Sequence, residues 1–231
     1  AEHSPPDGYV ARTILPTYAP DPNIGRVQRD RQKRETDDSL WKVYEPRWPV
    51  SADAKIRNDR YELDSRSGFP FTVTNSSLGQ ISFDFSFEGK VEFLDGDEMA
   101  GYGLVFGYRD KDNYFAFLVN RRGMYLLVEE KDGIVNQLIQ WTVSPLLTDD
   151  SHVLMVQGNY HTVTIPTRMH RYEFVLYVDG QEINRVLEDD ILDVSGRFGL
   201  FVSEDLHVAF DYIISRNHLV GGIWTLKRYD Y

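Results

Sequence analysis

The chain has 231 residues, a formal net charge of −11, 42% hydrophobic residues and 13% aromatic residues. That is enough apolar material for one large sandwich or two small domains, and it excludes a wholly disordered chain. The acidic balance argues against a nucleic-acid partner and against adsorption to anionic membrane. No apolar run reaches the length of a membrane span, and the lack of cysteine excludes disulfides and thiolate metal sites.

Residues 1–40 read as an extended arm. Pro5, Pro6, Pro16, Pro20 and Pro22 each fix φ and remove a backbone donor. Tyr9, Val10, Ile14 and Leu15 belong to a short strand-capable run. A basic knot follows, Arg26, Arg29, Arg31, Lys33 and Arg34, with Asp30 as its one acid. The arm holds six basic and seven acidic residues; the remainder holds nineteen and twenty-nine. A basic knot therefore precedes a strongly acidic body. It reads either as a solvated linker or as an assembly arm that docks on an acidic surface, its own or that of another copy. Ala1 stands where a translated chain opens with Met. Signal-peptide cleavage, which implies an extracellular or cell-surface location, and a trimmed terminus are the two readings.

From Trp41 onward the pattern is all β. Gln80–Glu88 alternates with period two: Ile81, Phe83, Phe85 and Phe87 face one way, and Ser82, Asp84, Ser86 and Glu88 the other. Lys90–Leu94 extends this strand. Tyr102–Tyr108 and Tyr114–Val119 are strands joined by the turn Arg109–Asn113. Met124–Glu129 follows, and Lys131-Asp132-Gly133 signals a tight hairpin. Further strands are predicted over Val153–Gln157, His161–Ile165, Tyr172–Val178, Gln181–Leu187, Arg197–Val202 and His207–Ser215, with Asp179-Gly180 as a second hairpin signal. Pro145–Asp150 and Asp189–Val194 have room for single helical turns and nothing longer. Many short strands with few helices mean an all-β sandwich or barrel.

Several segments carry a resemblance. Tyr102-Gly103-Leu104-Val105-Phe106, Asp112-Asn113-Tyr114-Phe115-Ala116-Phe117 and Gly123-Met124-Tyr125 resemble the central hairpins of the concanavalin A-like lectin/glucanase (laminin-G-like) superfamily. Phe174–Gly180 resembles its F-x-V-N-G hairpin, with Asp179 in place of Asn. Gly196–Val202 resembles its G-x-x-G-L-F strand, and Val208–Ile213 its closing strand. The resemblance covers residues 41–215, which reads as one jelly-roll domain. It implies two packed antiparallel sheets, and it is compatible with glycan binding, glycan hydrolysis or protein contacts.

A retaining glucanase needs two carboxylates about 5–5.5 Å apart. The resemblance implies a Glu-x-Asp-x-Glu strand, and Asp84-x-Ser86-x-Glu88 lacks one of its acids. The expectation is a non-catalytic protein. The six histidines, His3, His152, His161, His170, His207 and His218, show no metal-ligand spacing. Asp110, Asp112 and Asn113 gather oxygen atoms in one turn, which reads as a structural calcium site or as a plain Asx turn, with no other cofactor implied. Tyr108, Tyr114, Tyr125, Trp141 and Tyr160 offer aromatic platforms for a glycan, against the competing reading that they fill the core. Asn75-Ser76-Ser77 matches a glycosylation acceptor.

Residues 216–231 form a further extension. After Gly221-Gly222, Ile223–Tyr229 alternates as a strand that either returns to its own sheet or augments a neighbour's edge. Two strand-capable ends suit a self-assembling filament or surface layer built through the arm and this strand, with other copies of the chain as partners. The alternatives are a carbohydrate-binding module of a secreted protein and a divergent glycoside hydrolase.

Overall fold

The computed structural model describes residues 51, 53–66, 68–81, 83–163, 169–189, 194–219 and 223–230. The arm residues Tyr9, Val10, Ile14, Leu15, Arg26, Arg29, Arg31, Lys33 and Arg34 lie outside them.

The described residues form fourteen strands and no helix: β1 (Ala54–Arg57), β2 (Arg60–Asp64), β3 (Phe71–Gln80), β4 (Phe85–Gly96), β5 (Tyr102–Asp110), β6 (Asn113–Val119), β7 (Met124–Lys131), β8 (Ile134–Val143), β9 (Ser151–Val163), β10 (Met169–Val178), β11 (Gln181–Asp189), β12 (Arg197–Val202), β13 (Leu206–Leu219) and β14 (Ile223–Asp230). They make two antiparallel sheets. One runs β1-β2-β13-β4-β9-β10-β11, with β14 also paired to β13. The other runs β3-β12-β5-β6-β7-β8. This is the expected two-sheet jelly-roll sandwich, with neighbours far apart in sequence (β13 beside β4, β12 beside β5) drawn together across the fold.

Alternation supplies the core between the sheets. Phe85 and Phe87 of β4, Leu154 and Val156 of β9, Phe174 and Leu176 of β10 and Phe210 of β13 meet Leu104 and Phe106 of β5, Phe115 and Phe117 of β6 and Phe198 of β12, all within 1% of complete burial. The rings interlock: Phe106 stacks on Phe115 at 5.4 Å and meets Phe174 edge-on at 5.4 Å, while Phe87 lies 4.6 Å from Phe198. Gly158 is part of this fit, because a Cβ there would stand 2.1 Å from the Phe85 ring. At one end Ser215 and Asn217 turn polar groups inward, and the Ser215 hydroxyl donates to the Leu78 carbonyl of β3 at 2.9 Å.

Three readings change, and one alternative is decided. The single strand expected over Gln80–Glu88 is two, because the chain leaves β3 at Gln80 and enters β4 at Phe85; Ile81 is still buried, and Phe83 packs edge-on against Tyr160. The separate strands expected at Val153–Gln157 and His161–Ile165 are one as far as Val163, β9, paired with β10 from Leu154 to Val163; residues 164 and 165 lie outside the described residues. Asn75 is 4% exposed on β3 and offers no accessible acceptor for a glycan. The C-terminal strand returns to its own sheet: β13 runs through residue 216 without a break, and β14 pairs with it from Tyr212↔Asp230 to Leu219↔Ile223. Of the two readings of this strand, return to its own sheet is the one observed. Pro145–Asp150 holds turns and bends without a helix.

Candidate functional site

An antiparallel sheet ordinarily buries one face and wets the other. The six-stranded sheet departs from this. The sequences of β5 (YGLVFGYRD), β6 (NYFAFLV) and β7 (MYLLVEEK) are apolar at consecutive positions, so both faces carry hydrophobic side chains. The face turned away from the core holds a second cluster: Val105, Ala116, Leu118, Leu126 and Val128 are buried, with Tyr108, Tyr114, Trp141 and Phe201 half-buried against them.

The register fixes their layout. Phe201 of β12 faces Gly103 of β5, which faces Leu118 of β6, which faces Leu126 of β7. One step along, Gly199, Val105, Ala116 and Val128 form the next row. Tyr114 stands in the row beyond, opposite Glu130. Leu118 and Tyr114 are four residues apart, about 13 Å at roughly 3.3 Å per residue. Large rings therefore flank a floor of small and aliphatic side chains.

Two of the rings reach this face only because the strands are irregular. Phe106 points into the core, so strict alternation would send Tyr108 inward as well. The β5–β6 register breaks between Phe106 and Asp110, and Gly107 adopts φ +60 there. Against β12 this stretch holds one extra residue, Gly199↔Val105 being followed by Arg197↔Tyr108, and the bulge re-aims Tyr108 outward. Ile139 also points into the core, and β8 breaks register against β7 between Ile139 and Thr142, which carries Trp141 to the outer face. The Trp141 indole lies over Gly101, where a Cβ would come within 3.3 Å of both the indole and Leu118.

Tyr108 and Tyr114 form a tilted pair at 6.1 Å. Burial raises the Tyr114 hydroxyl above its ordinary range, and the hydrogen bond it donates to the Glu130 carboxylate adds to this. Burial likewise raises Tyr108, with the Asp110 carboxylate second. Both phenols are neutral donors near neutrality. The polar groups around the floor are Thr72 and Thr74 of β3, Glu130 of β7, Gln137 of β8 and Arg197 of β12.

The remaining sequence candidates fall elsewhere. Tyr125 is 4% exposed and belongs to the inter-sheet core; its hydroxyl donates to the Ile183 carbonyl at 3.5 Å and accepts from Asn184 Nδ2 at 3.0 Å. It is a core tyrosine, as strict alternation with Leu127 dictates. Tyr160 packs on the same core against Phe83 and Tyr172. Asp110, Asp112 and Asn113 do share the β5–β6 turn. There the Asp110 carboxylate accepts from the Asp112 N–H and the Asn113 amide, both at 2.9 Å, which holds it below the usual carboxylate range. Asp112 pairs with Lys111 at 2.7 Å, and Asn113 Oδ1 accepts from the Asp132 N–H of the neighbouring turn. No cluster of three or more His, Cys, Asp or Glu suited to a metal occurs among the described residues. Asp84 precedes β4 and accepts from the Tyr160 N–H at 2.7 Å, while Glu88, 3% exposed, accepts from the Tyr212 hydroxyl at 3.1 Å.

Sequence reasoning missed two features. Phe201 joins the platform, and the sign of it was an apolar run, Leu200-Phe201-Val202, too continuous for a strand with one wet face. On the outer face of the other sheet, Gln157, Asn159, Glu173, Arg185 and Glu182 form a linked polar row across β9, β10 and β11. Gln157 donates to Asn159 at 3.0 Å and Asn159 to Glu173 at 2.9 Å. Arg185 donates to Glu173 at 2.7 Å and to Glu182 at 3.0 Å. These residues are scattered in sequence and converge only through the register.

No family model and no curated protein matches the chain. Among solved structures it is similar to the carbohydrate binding module CBM66 from Bacillus subtilis, with 17% identity over 71% of this chain and 88% of that one at a TM-score of 0.49. It is also similar to sheep galectin-11, with 12% identity over 64% of this chain and 96% of that one at a TM-score of 0.41. A third is the xylan beta-1,4-xylosidase from Bacillus halodurans C-125, with 14% identity and a TM-score of 0.45; the match takes in 74% of this chain but only 38% of the xylosidase. Likeness at this level carries no information on ligand or site, and the sandwich rests on the strand order described above.

Proposed function

We propose that this chain is a non-catalytic carbohydrate-binding module that takes a glycan on the outer face of its six-stranded sheet, outside the cell or at its surface. The observation that supports this is the second hydrophobic cluster: half-buried Tyr108, Tyr114, Trp141 and Phe201 ranged about a floor of Gly103, Gly199, Val105 and Ala116. Apolar C–H faces of sugar rings pack on such side chains, and the surrounding Thr72, Thr74, Gln137, Glu130 and Arg197 meet hydroxyl groups. A site needs few polar groups around a mainly apolar and aromatic lining. The non-catalytic reading is supported by the absence of an acid pair at the spacing a retaining hydrolase needs, in the strand that the resemblance singles out.

The test is a glycan array on the full chain, followed by titration of the best ligand into the wild type and into Tyr108→Ala/Trp141→Ala. Each ring contributes about 1–2 kcal/mol, so the double variant loses at least tenfold in affinity. Tyr125→Phe, altered on the core side, binds as the wild type does. Absence of any bound glycan, or full affinity in the double variant, sinks the reading. Release of sugar from the bound glycan would sink its non-catalytic part.

A further inference from the structure

β8 is the open edge of the six-stranded sheet: among the described residues it pairs with β7 alone. Its sequence, IVNQLIQWTV, has no charged residue and no proline across ten positions. Natural edge strands are ordinarily blunted by such residues, because a row of free N–H and C=O groups is a template for pairing. The other edges differ from it. β1 carries Lys55 and Arg57, β11 carries Glu182, Arg185, Glu188 and Asp189, and β14, paired with β13 alone among the described residues, carries Lys227, Arg228 and Asp230. β3 is uncharged, but the Leu78 carbonyl is taken by Ser215 and Asn217. Exposed apolar side chains point the same way: of the seven large ones among the described residues, three lie on β8, namely Ile134 at 66%, Val135 at 56% and Val143 at 71%.

We propose that β8 pairs antiparallel with β8 of a second copy, joining two six-stranded sheets across a two-fold axis. The partner follows from charge. Copies with a net charge of −11 repel wherever charged surfaces meet, and an uncharged strand is where like copies approach at least cost. The pairing segment follows from the backbone. Register breaks at Leu138 and at Gln140-Trp141 twist the second half of the strand, so the regular part is Ile134–Gln137. A two-fold normal to the sheet keeps the outer faces together and sets Val135 opposite its own copy. A contact confined to this end leaves the Trp141 ring clear, and of the polar groups around the floor only Gln137 lies in the pairing segment.

Light scattering on the full chain across micromolar to millimolar concentration tests it, with hydrogen exchange followed over the same range. The expected result is a reversible dimer of twice the 26.8 kDa chain mass, with Ile134–Gln137 amides protected only as the dimer fills. Val135→Lys sets like charges against each other and raises the dissociation constant roughly tenfold or more, at unchanged Tm. Phe69→Lys, at an exposed position elsewhere, leaves it unchanged. A chain monomeric at every concentration overturns the proposal. So does a dimer indifferent to Val135→Lys, or amide protection independent of concentration, which would mean that the edge is covered within one chain.

Discussion

Gly107 is the hinge of the proposed site, and Gly107→Ala measures what the bulge requires. The residue sits at φ +60, where an L side chain costs about 1–2 kcal/mol. An added Cβ would also stand 2.9 Å from the Val194 carbonyl oxygen and 3.1 Å from the Phe115 ring, and neither neighbour is free to yield. Overpacking of this kind costs about 1–3 kcal/mol. The expected loss is about 2–5 kcal/mol, or about 4–20 °C in Tm for a domain of this size. Gly133→Ala is the reference, because φ there is +74 but the nearest atom to a Cβ is 3.7 Å away; strain alone applies, at about 1–2 kcal/mol. Urea unfolding of the two variants under identical conditions reads the difference. If Gly107→Ala is no less stable than Gly133→Ala, the packing around the bulge is not what holds Tyr108 outward, and the reasoning fails. Glycan affinity should fall with Gly107→Ala and hold with Gly133→Ala.

Other expectations follow from single contacts. Ser65 is fully buried, with its hydroxyl bonded to the Ser203 and Leu206 carbonyls and to the Leu206 N–H; Ser65→Ala costs about 1–3 kcal/mol by denaturant unfolding, because those groups lose their partner. The Asp179 carboxylate ties the β10–β11 turn to β9 through His152 Nδ1 and the Val153 N–H, both at 2.8 Å, so Asp179→Ala, at φ +50, destabilises by about 2–3 kcal/mol, and Asp179→Asn by less. The hydrogen bond from Arg66 brings the Asp64 carboxyl down from 3.8 to about 2. A depressed carboxylate adds stability above its unfolded value and loses it as pH falls towards the folded one. Arg66→Ala therefore lowers stability at pH 7 by under about 1 kcal/mol, since the pair is partly exposed, and the gap to wild type closes between pH 4 and pH 2 in acid unfolding.

Much of the scaffold was legible because alternation and turn chemistry agreed. Asp132-Gly133 and Asp179-Gly180 announce hairpins, and all four residues sit at positive φ as such turns require. β5, β6, β7, β10 and β12 stand where their apolar runs place them. β8 was not legible as a strand, because two register breaks destroy its period. The face of a ring was the harder question. Tyr125 follows alternation inward, whereas Tyr108 and Trp141 depart from it through bulges whose cause is tertiary: Gly107 against Val194, and β8 against β7. Composition named the right residue types for a platform, but only the register showed which of them share a face.

The most direct test of the platform is a ¹H–¹⁵N NMR titration with an oligosaccharide found on the array. The account predicts that the Trp141 indole N–H and the backbone amides of β5, β6 and β12 around Gly103, Ala116 and Gly199 shift together and saturate at one affinity. Shifts confined instead to Gln157, Asn159, Glu173 and Arg185 on the opposite sheet would place the glycan on the polar row and contradict it.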